Sequence, residues 1–250
     1  MKSSNRFNAA FALLMLLPVS GSLKAADTAA AVPTATEILA KYQEAAGGKA
    51  ALEKVKTRVM KGDIEVSALG VSGPFESKAK APNQQVSKIE FGGFGSMREG
   101  FDGKTAWSKA PGLGLRNKSG GELARVQRST LFPRELKLAE AYAKLESKGA
   151  AKVGDKAAWV VEGSVKDGKP DRLYFDQKTG LLLREETIVP AITGEMQFQI
   201  DFDDYRDVDG VKIAFIMRVP QPAEVGFRIK FREIQQNVEI PDSDFAPPKD

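Results

Sequence analysis

The sequence contains no histidine and no cysteine. Without them the chain cannot build a Ser-His-Asp triad, a Cys-His pair, a zinc site with nitrogen or sulfur ligands, or a thioether haem attachment. It also has no disulfide and no cysteine that a lipid could modify. A metal ion would need a site made of carboxylate oxygens, which favours calcium or magnesium. The sequence therefore predicts no metal, no cofactor and no enzyme.

Long hydrophobic runs are also missing, except for one near the N-terminus. Phe7–Val19 is an apolar stretch too short to span a bilayer, and the basic residues Lys2 and Arg6 precede it. Small residues follow, and Ala25 is the expected last residue before cleavage. The pattern predicts a signal peptide at residues 1–25 and export to a periplasm. An uncleaved membrane anchor is the alternative.

The chain has almost no excess of positive charge once this leader is set apart. It contains 37 Lys and Arg against 33 Asp and Glu, which gives a net charge of +4. Loss of Lys2, Arg6 and Lys24 with the leader lowers the net charge to +1, because residues 1–25 contain no acid. Nucleic acids attract proteins with a concentrated basic surface. The composition therefore predicts no nucleic-acid partner.

The mature chain begins with a linker and a helical segment. Residues 26–33 are rich in alanine and are interpreted as a flexible linker. Apolar residues at helical spacing follow, with Thr34 or Thr36 as the N-cap and the glycines at 47–48 as the stop. A second short helical piece covers Lys49–Val55.

Beyond this point the hydrophobic residues alternate with polar ones. About ten segments of this kind, separated by turn signals, predict hairpins of an antiparallel sheet with one apolar face and one solvated face. A segment at 120–147 interrupts the series and is predicted to be helical in two parts around Pro133. The clearest alternating segments contain Met196, Phe198, Ile200 and Phe202 in one case and Phe227, Ile229 and Phe231 in the other.

These elements predict an α+β fold and a single domain over residues 34–250. An antiparallel sheet of this length must cover its apolar face, which it can do by curving around helices. We therefore expect a curved antiparallel sheet that forms an incompletely closed half-barrel, with helices over its opening.

Several aspartates precede a nearby glycine, and we interpret them as hairpin turns and not as catalytic groups. Asp102, Asp176 and Asp207 each stand where a side chain can accept hydrogen bonds from the turn that follows. A calcium loop of the EF-hand type is excluded, because placing Gly210 at its sixth position leaves tyrosine and isoleucine where acids are needed. A glycosidase pair of carboxylates is a further alternative. The alternation instead favours a solvated strand face.

Four short motifs occur in an order that resembles the LolA/LolB-like superfamily of outer-membrane lipoprotein-sorting proteins. The likeness covers roughly residues 34–248 in order and spacing. The superfamily has a functional arginine directly before the Pro-Asn of the first motif, whereas this chain has Ala81 there, as in a divergent member. The motifs are K-x-P-N within Lys78–Glu90, DGKT-x-W within Phe101–Pro111, D-x-x-TG within Leu173–Glu186, and FAPP at Phe245–Pro248.

The resemblance implies a periplasmic carrier that holds the acyl chains of a lipid or lipoprotein in an apolar half-barrel cavity, without covalent chemistry. An envelope membrane complex is an expected further partner. The alternative is an accessory interaction module of such a complex, with its barrel filled by its own side chains. Leu113 and Leu115 lie in an apolar, glycine-rich loop that we expect to act as a lid. The predicted cavity residues are Met97, Phe101, Trp107, Phe175, Met196, Phe198, Ile200, Phe202, Phe227 and Phe231.

Overall fold

The computed structural model describes residues 31–248 except 94, 167, 192–193 and 221–225. The predicted signal peptide and most of the predicted linker lie outside the described residues. Thirteen strands account for most of the described chain. They are β1 (Thr57–Val66), β2 (Val71–Lys80), β3 (Gln84–Phe91), β4 (Gly95–Phe101), β5 (Ala106–Ala110), β6 (Gly114–Asn117), β7 (Lys144–Val153), β8 (Lys156–Ser164), β9 (Asp171–Asp176), β10 (Leu182–Ala191), β11 (Gly194–Val208), β12 (Val211–Val219) and β13 (Phe227–Gln236).

All thirteen strands form one antiparallel sheet in the order β6-β5-β4-β3-β2-β1-β13-β12-β11-β10-β9-β8-β7. The sheet is curved and does not close, because β6 and β7 at its two ends are not paired with each other. The predicted half-barrel is therefore confirmed. The strand number exceeds the predicted ten or so, since short strands such as β6 contain too few residues to show alternation.

The first helix, α1 (Ala35–Ala45), begins and ends where the sequence predicts. Thr34 is the N-cap: its hydroxyl accepts a hydrogen bond from the Glu37 N–H at 3.3 Å, and Glu37 accepts one from the Thr34 N–H at 2.8 Å. This reciprocal pair is a capping box, which satisfies N–H groups that the helix cannot. A short helix α2 (Lys49–Leu52) follows. No helix in the described part of the chain is both long and apolar enough to cross a membrane.

The interrupting segment contains helix only as far as Ala141. It forms α3 (Gly120–Ser129), α4 (Arg134–Lys137) and a 3-10 turn at Leu138–Ala141, with Pro133 between α3 and α4 as predicted. Its last residues are the start of β7 and not helix. Alanine, lysine and glutamate favour helix intrinsically, but four residue pairs with β8 fix residues 144–147 as a strand.

The sheet has an inner face, which the helices cover, and an outer face. Residues directly opposite each other on neighbouring strands share a face, so the register assigns both. The main core lies on the inner face between α1, the segment 131–142 and the sheet. Its fully or nearly fully buried members include Ile38, Tyr42, Leu52, Ile64, Phe132, Leu138, Val161, Leu173, Phe175, Val211, Ile229 and Phe231.

A second, smaller core lies on the outer face of the first strands. Val86 and Trp107 are both opposite Gly100 there, and Val59 reaches the same row through β2. The C-terminal segment covers them, because Ile240 and Phe245 are buried against this row. The Trp107 indole Nε1 donates a hydrogen bond to the Phe245 carbonyl at 2.9 Å.

Ion pairs along the same edge hold the C-terminal segment down. The Lys78 ammonium lies 2.8 Å from the Asp244 carboxylate, and the Lys80 ammonium lies 2.6 Å from Asp242. Gly100 leaves the room for the indole, since a Cβ there would approach Trp107 Cζ2 to 2.6 Å. The C-terminal segment of the chain thus covers the outer face of the first strands.

The three aspartate turns have the predicted structural role. Asp102 accepts hydrogen bonds from the Lys104 and Thr105 N–H groups at 2.8 and 2.6 Å. Asp176 accepts two in the same way, and Asp207 accepts one from the Gly210 N–H at 3.0 Å. In the first turn Gly103 has a φ of 95°, a region that costs other residues energy. These carboxylates bind their own backbone.

Candidate functional site

Two ion pairs, one buried and one partly buried, attach α4 to the inner face of the sheet. The Arg58 guanidinium lies 2.9 Å from Glu135, with side-chain exposures of only 8% and 10%. Arg134 reaches Glu185 of β10 at 2.5 Å. Arg58 also lies 5.3 Å from the centre of the Phe132 ring. This part of the half-barrel is therefore filled by side chains of the chain itself.

Three tyrosines accompany these ion pairs. Burial raises the pKa of the Tyr42 hydroxyl, and it has the same effect on the pKa values of Tyr142 and Tyr205. All three are therefore neutral at physiological pH. The Tyr205 hydroxyl donates to the Leu182 carbonyl at 2.7 Å, which ties it to the neighbouring hairpin. Neutral, buried hydroxyls of this kind are not activated bases.

The rest of the inner face has apolar side chains that are not fully covered. Phe75 of β2 lies opposite Ile89 of β3, which in turn lies opposite Met97 of β4. Met97 is 45% exposed and the other two are half-buried. We call the following set of inner-face residues the apolar strip: Phe75, Ile89, Phe91, Met97, Met196, Phe198, Ile200, Phe202, Met217 and Phe227.

The strip continues across the middle of the sheet. Phe202 of β11 is opposite Met217 of β12, and Met217 is opposite Ile229 of β13. Ile229 and its partner Ile64 are buried members of the main core, and they join this part of the strip to the first strands. A continuous apolar surface thus runs from β4 to β11.

A pocket of about 420 Å³ adjoins the strip beneath α3. Its floor is formed by Gln85, Ser87 and Glu99 of β3 and β4, together with Phe101. Its opposite wall comes from α3 and the residues before it. On this wall the Arg125 guanidinium lies 5.5 Å from the centre of the Phe198 ring, so α3 reaches from β3 and β4 to β11. We call this cavity the α3 pocket.

Most of the predicted cavity residues lie on the apolar strip, but some lie elsewhere. Phe175 and Phe231 are fully buried in the main core, where Phe175 packs on Tyr42 at a ring distance of 5.2 Å. Trp107 is on the outer face under the C-terminal segment. Phe101 is 1% exposed in the floor of the α3 pocket. The predicted residues that the strip does include are Met97, Met196, Phe198, Ile200, Phe202 and Phe227.

The two residues of the predicted lid loop, Leu113 and Leu115, lie in different environments. Leu113 is 84% exposed at the tip of the β5–β6 hairpin. Leu115 packs against the outer-face core and not against the strip. Alternation in the sequence separates the two faces of a strand but does not say which face looks inward, and Leu115 and Trp107 both fall on the outer one.

Several inner-face residues are not among those predicted from the sequence. Phe75, Ile89 and Phe91 are part of the strip, and their alternation with charged or polar neighbours was a usable signal. Arg125 and the polar floor residues Gln85, Ser87 and Glu99 gave no such signal, because only the folded chain brings α3 over β3 and β4.

The acidic run of β11 is engaged in ion pairs at the solvated face of the sheet. Arg184 holds Asp201 at 2.6 Å, and Arg218 holds Asp203 at 3.1 Å. Asp204 has a φ of 53° and pairs with Arg206. Within the described residues, no group of three or more acids is placed to hold a metal ion.

Comparison with known proteins gives a fold and no closer relative. No protein-family model matches the chain, and no curated protein matches it. Solved structures do match. A DUF1329 family protein from Desulfovibrio piger has a TM-score of 0.58 at 14% identity, covering 85% of this chain and 97% of that one.

Two further solved structures connect this fold with a named superfamily. A LolA superfamily protein from Nitrosomonas europaea has a TM-score of 0.56 at 12% identity, covering 86% of this chain and 98% of that one. A domain assigned to the outer membrane lipoprotein-sorting proteins, from Vibrio parahaemolyticus, has a TM-score of 0.54 at 13% identity, covering 84% and 97%. The chain therefore has the LolA-like fold, as its motif order suggested.

Proposed function

We propose that the chain is a periplasmic carrier that binds the acyl chains of a lipid or lipoprotein on the apolar strip and performs no covalent chemistry. The observation that carries the proposal is the solvent exposure of the apolar strip. Its large apolar side chains lie on the helix-covered face of the sheet, yet they remain half-buried or exposed. Apolar surface in contact with water costs free energy, so the uncovered side chains on both parts of the strip favour an apolar ligand.

The likeness of the fold to solved structures also supports the carrier proposal. A structural relative is assigned to the outer membrane lipoprotein-sorting proteins, and this chain has a half-barrel of the same type. An accessory interaction module with a filled barrel is the second candidate. The ion pairs under α4 favour it, because they fill part of the inner face. The two candidates differ in whether the strip binds lipid.

The periplasmic setting rests on residues 1–25, which we propose are a cleaved signal peptide. Expression of the whole chain in a Gram-negative host is expected to yield a mature protein that begins at Ala26, because the apolar stretch is followed by small residues. N-terminal sequencing of the product measures this directly. A mature protein that still begins at Met1 would contradict the cleavage.

Binding of a fluorescent fatty-acyl probe tests the carrier proposal. We expect the wild-type mature chain to bind, and Ile89→Asn to weaken binding about tenfold, since burial of an aliphatic side chain contributes roughly 1.5–3 kcal/mol and Ile89 is partly covered already. Phe198→Ala is expected to weaken binding with a small change in stability. Phe231→Ala, in the closed core, is expected to cost about 3–5 kcal/mol of stability.

The matched control is Leu69→Asn, an apolar-to-amide change at a residue that is 63% exposed in the turn after β1. It should leave both probe binding and the melting temperature unchanged. Absence of probe binding by the wild type would eliminate the carrier and leave the interaction module. Equal losses of binding at Leu69 and Ile89 would show that the probe adsorbs elsewhere.

A further inference from the structure

The inner face of β2, β3 and β4 changes abruptly from apolar to polar. Phe75, Ile89 and Met97 form one row across the three strands. The next inner-face row lies two residues further along each strand, about 7 Å away, and consists of Ser77, Ser87 and Glu99. The boundary runs across the strands and coincides with the edge of the α3 pocket, which Ser87 and Glu99 help to form. A ligand that covers both rows must be amphiphilic.

Both acids that line the α3 pocket already have a cation as partner. Lys118 Nζ lies 2.8 Å from the Glu99 carboxylate. Glu122 accepts two hydrogen bonds from the Arg116 guanidinium, at 2.6 and 3.0 Å. Neither carboxylate is therefore available for a cationic ligand without loss of an existing ion pair.

Arg125 is different. Its guanidinium lines the pocket and lies over the Phe198 ring, and no carboxylate of the described residues is within ion-pair distance of it. A guanidinium has five N–H donors in a planar fork that matches phosphate oxygens. Among the charged residues that line the pocket, Arg125 is thus the one without an ion-pair partner in the described part of the chain, and it stands beside the apolar strip.

Resting on the proposed function, we propose that the cargo is a glycerophospholipid, with its phosphodiester bound by Arg125 in the α3 pocket and its acyl chains on the apolar strip. One unpaired guanidinium matches the single negative charge of a phosphodiester. A headgroup that adds an ammonium group would need a free carboxylate, so an uncharged headgroup such as glycerol is preferred. The acylated end of a lipoprotein has no phosphate and would leave Arg125 unpaired.

The test uses calorimetric titration of the mature chain with three dihexanoyl lipids below their micelle concentrations. These are phosphatidylglycerol, phosphatidylethanolamine and the phosphate-free diacylglycerol. Charge-assisted hydrogen bonds are strong enough that we expect phosphatidylglycerol to bind about tenfold or more tightly than diacylglycerol. Arg125→Gln should abolish that difference. Arg128→Gln, three residues later on the same helix and outside the pocket lining, should retain it.

The outcomes separate this inference from the carrier proposal. Equal binding of phosphatidylglycerol and diacylglycerol would overturn the phosphate site and leave the acyl carrier intact. Equal binding of phosphatidylethanolamine and phosphatidylglycerol would overturn the preference for an uncharged headgroup. A loss of all three lipids in Arg125→Gln would assign Arg125 to packing on Phe198 and overturn its contact with phosphate. Failure of every lipid and of the fatty-acyl probe would overturn both proposals. Since α3 has no buried residue, both variants should fold, and melting curves check this.

Discussion

Replacement of Arg58 by methionine is expected to lower the free energy of unfolding by about 3–5 kcal/mol, because it leaves the Glu135 carboxylate buried without its partner. The pair is almost sealed from solvent, and Glu135 Oε2 already has no hydrogen-bond partner. Loss of the Arg58 charge also removes its contacts with Gln236 and the Phe132 ring. Urea denaturation followed by circular dichroism measures the change.

The double variant Arg58→Met with Glu135→Leu provides the control. Replacing both members of a buried ion pair by apolar residues of similar volume is often close to neutral, so the double variant should recover most of the loss. The coupling between the two sites should therefore be large and favourable. A cost below about 1 kcal/mol for Arg58→Met would show that water reaches the pair, as at exposed ion pairs.

Replacement of Trp107 by alanine is expected to cost about 3–5 kcal/mol, the range for large aromatic side chains removed from a core. The indole is fully buried between the sheet and the C-terminal segment. Its removal leaves a cavity and deprives the Phe245 carbonyl of its donor. Urea denaturation measures the loss, with the fluorescence of the remaining tryptophan, Trp159, as a second probe.

Leu113→Ala is the control for this prediction. It lies one short strand away, yet its side chain is 84% exposed, so its loss should change stability by less than about 0.5 kcal/mol. Phe245→Ala should resemble Trp107→Ala, and the two should not add, because they remove the same contact. Independent, additive losses would show that the C-terminal segment is not seated on Trp107.

Local chemistry explains what the sequence could predict. The Thr34 capping box and the Asp102 turn depend on residues within three positions of each other, and both are present as expected. Alternation predicted strands with one apolar face, and Phe202 and Ile229 do lie in one row through Met217. Each of these features is decided by neighbours in the chain.

Long-range packing explains what the sequence could not predict. Trp107 is buried on the outer face because the C-terminal segment, well over a hundred residues later, covers it. The start of β7 reads as helix until its pairing with β8 is known. The α3 pocket likewise needs α3 above β3 and β4, a placement that no local pattern encodes. The sequence therefore predicted part of the apolar strip, namely Met97 of β4 and residues of β11 and β13.

The strand order has a consequence for how this chain folds. On each side of the β1–β13 pair, every strand pairs with its neighbour in sequence, so each half of the sheet is a series of local hairpins. The pairing between the halves joins residues such as Arg58 and Gln236, which are 178 positions apart.

Each half of the sheet also packs against the end of the chain that adjoins the other half. Helix α1, which precedes the first half, packs through Tyr42 on Phe175 of the second, and the C-terminal segment covers Trp107 of the first. Local hairpins form fast, whereas closing a long loop is slow. A chain leaving the ribosome or a translocation channel can therefore build its hairpins early, but it locks into its final form only after the last residues have emerged.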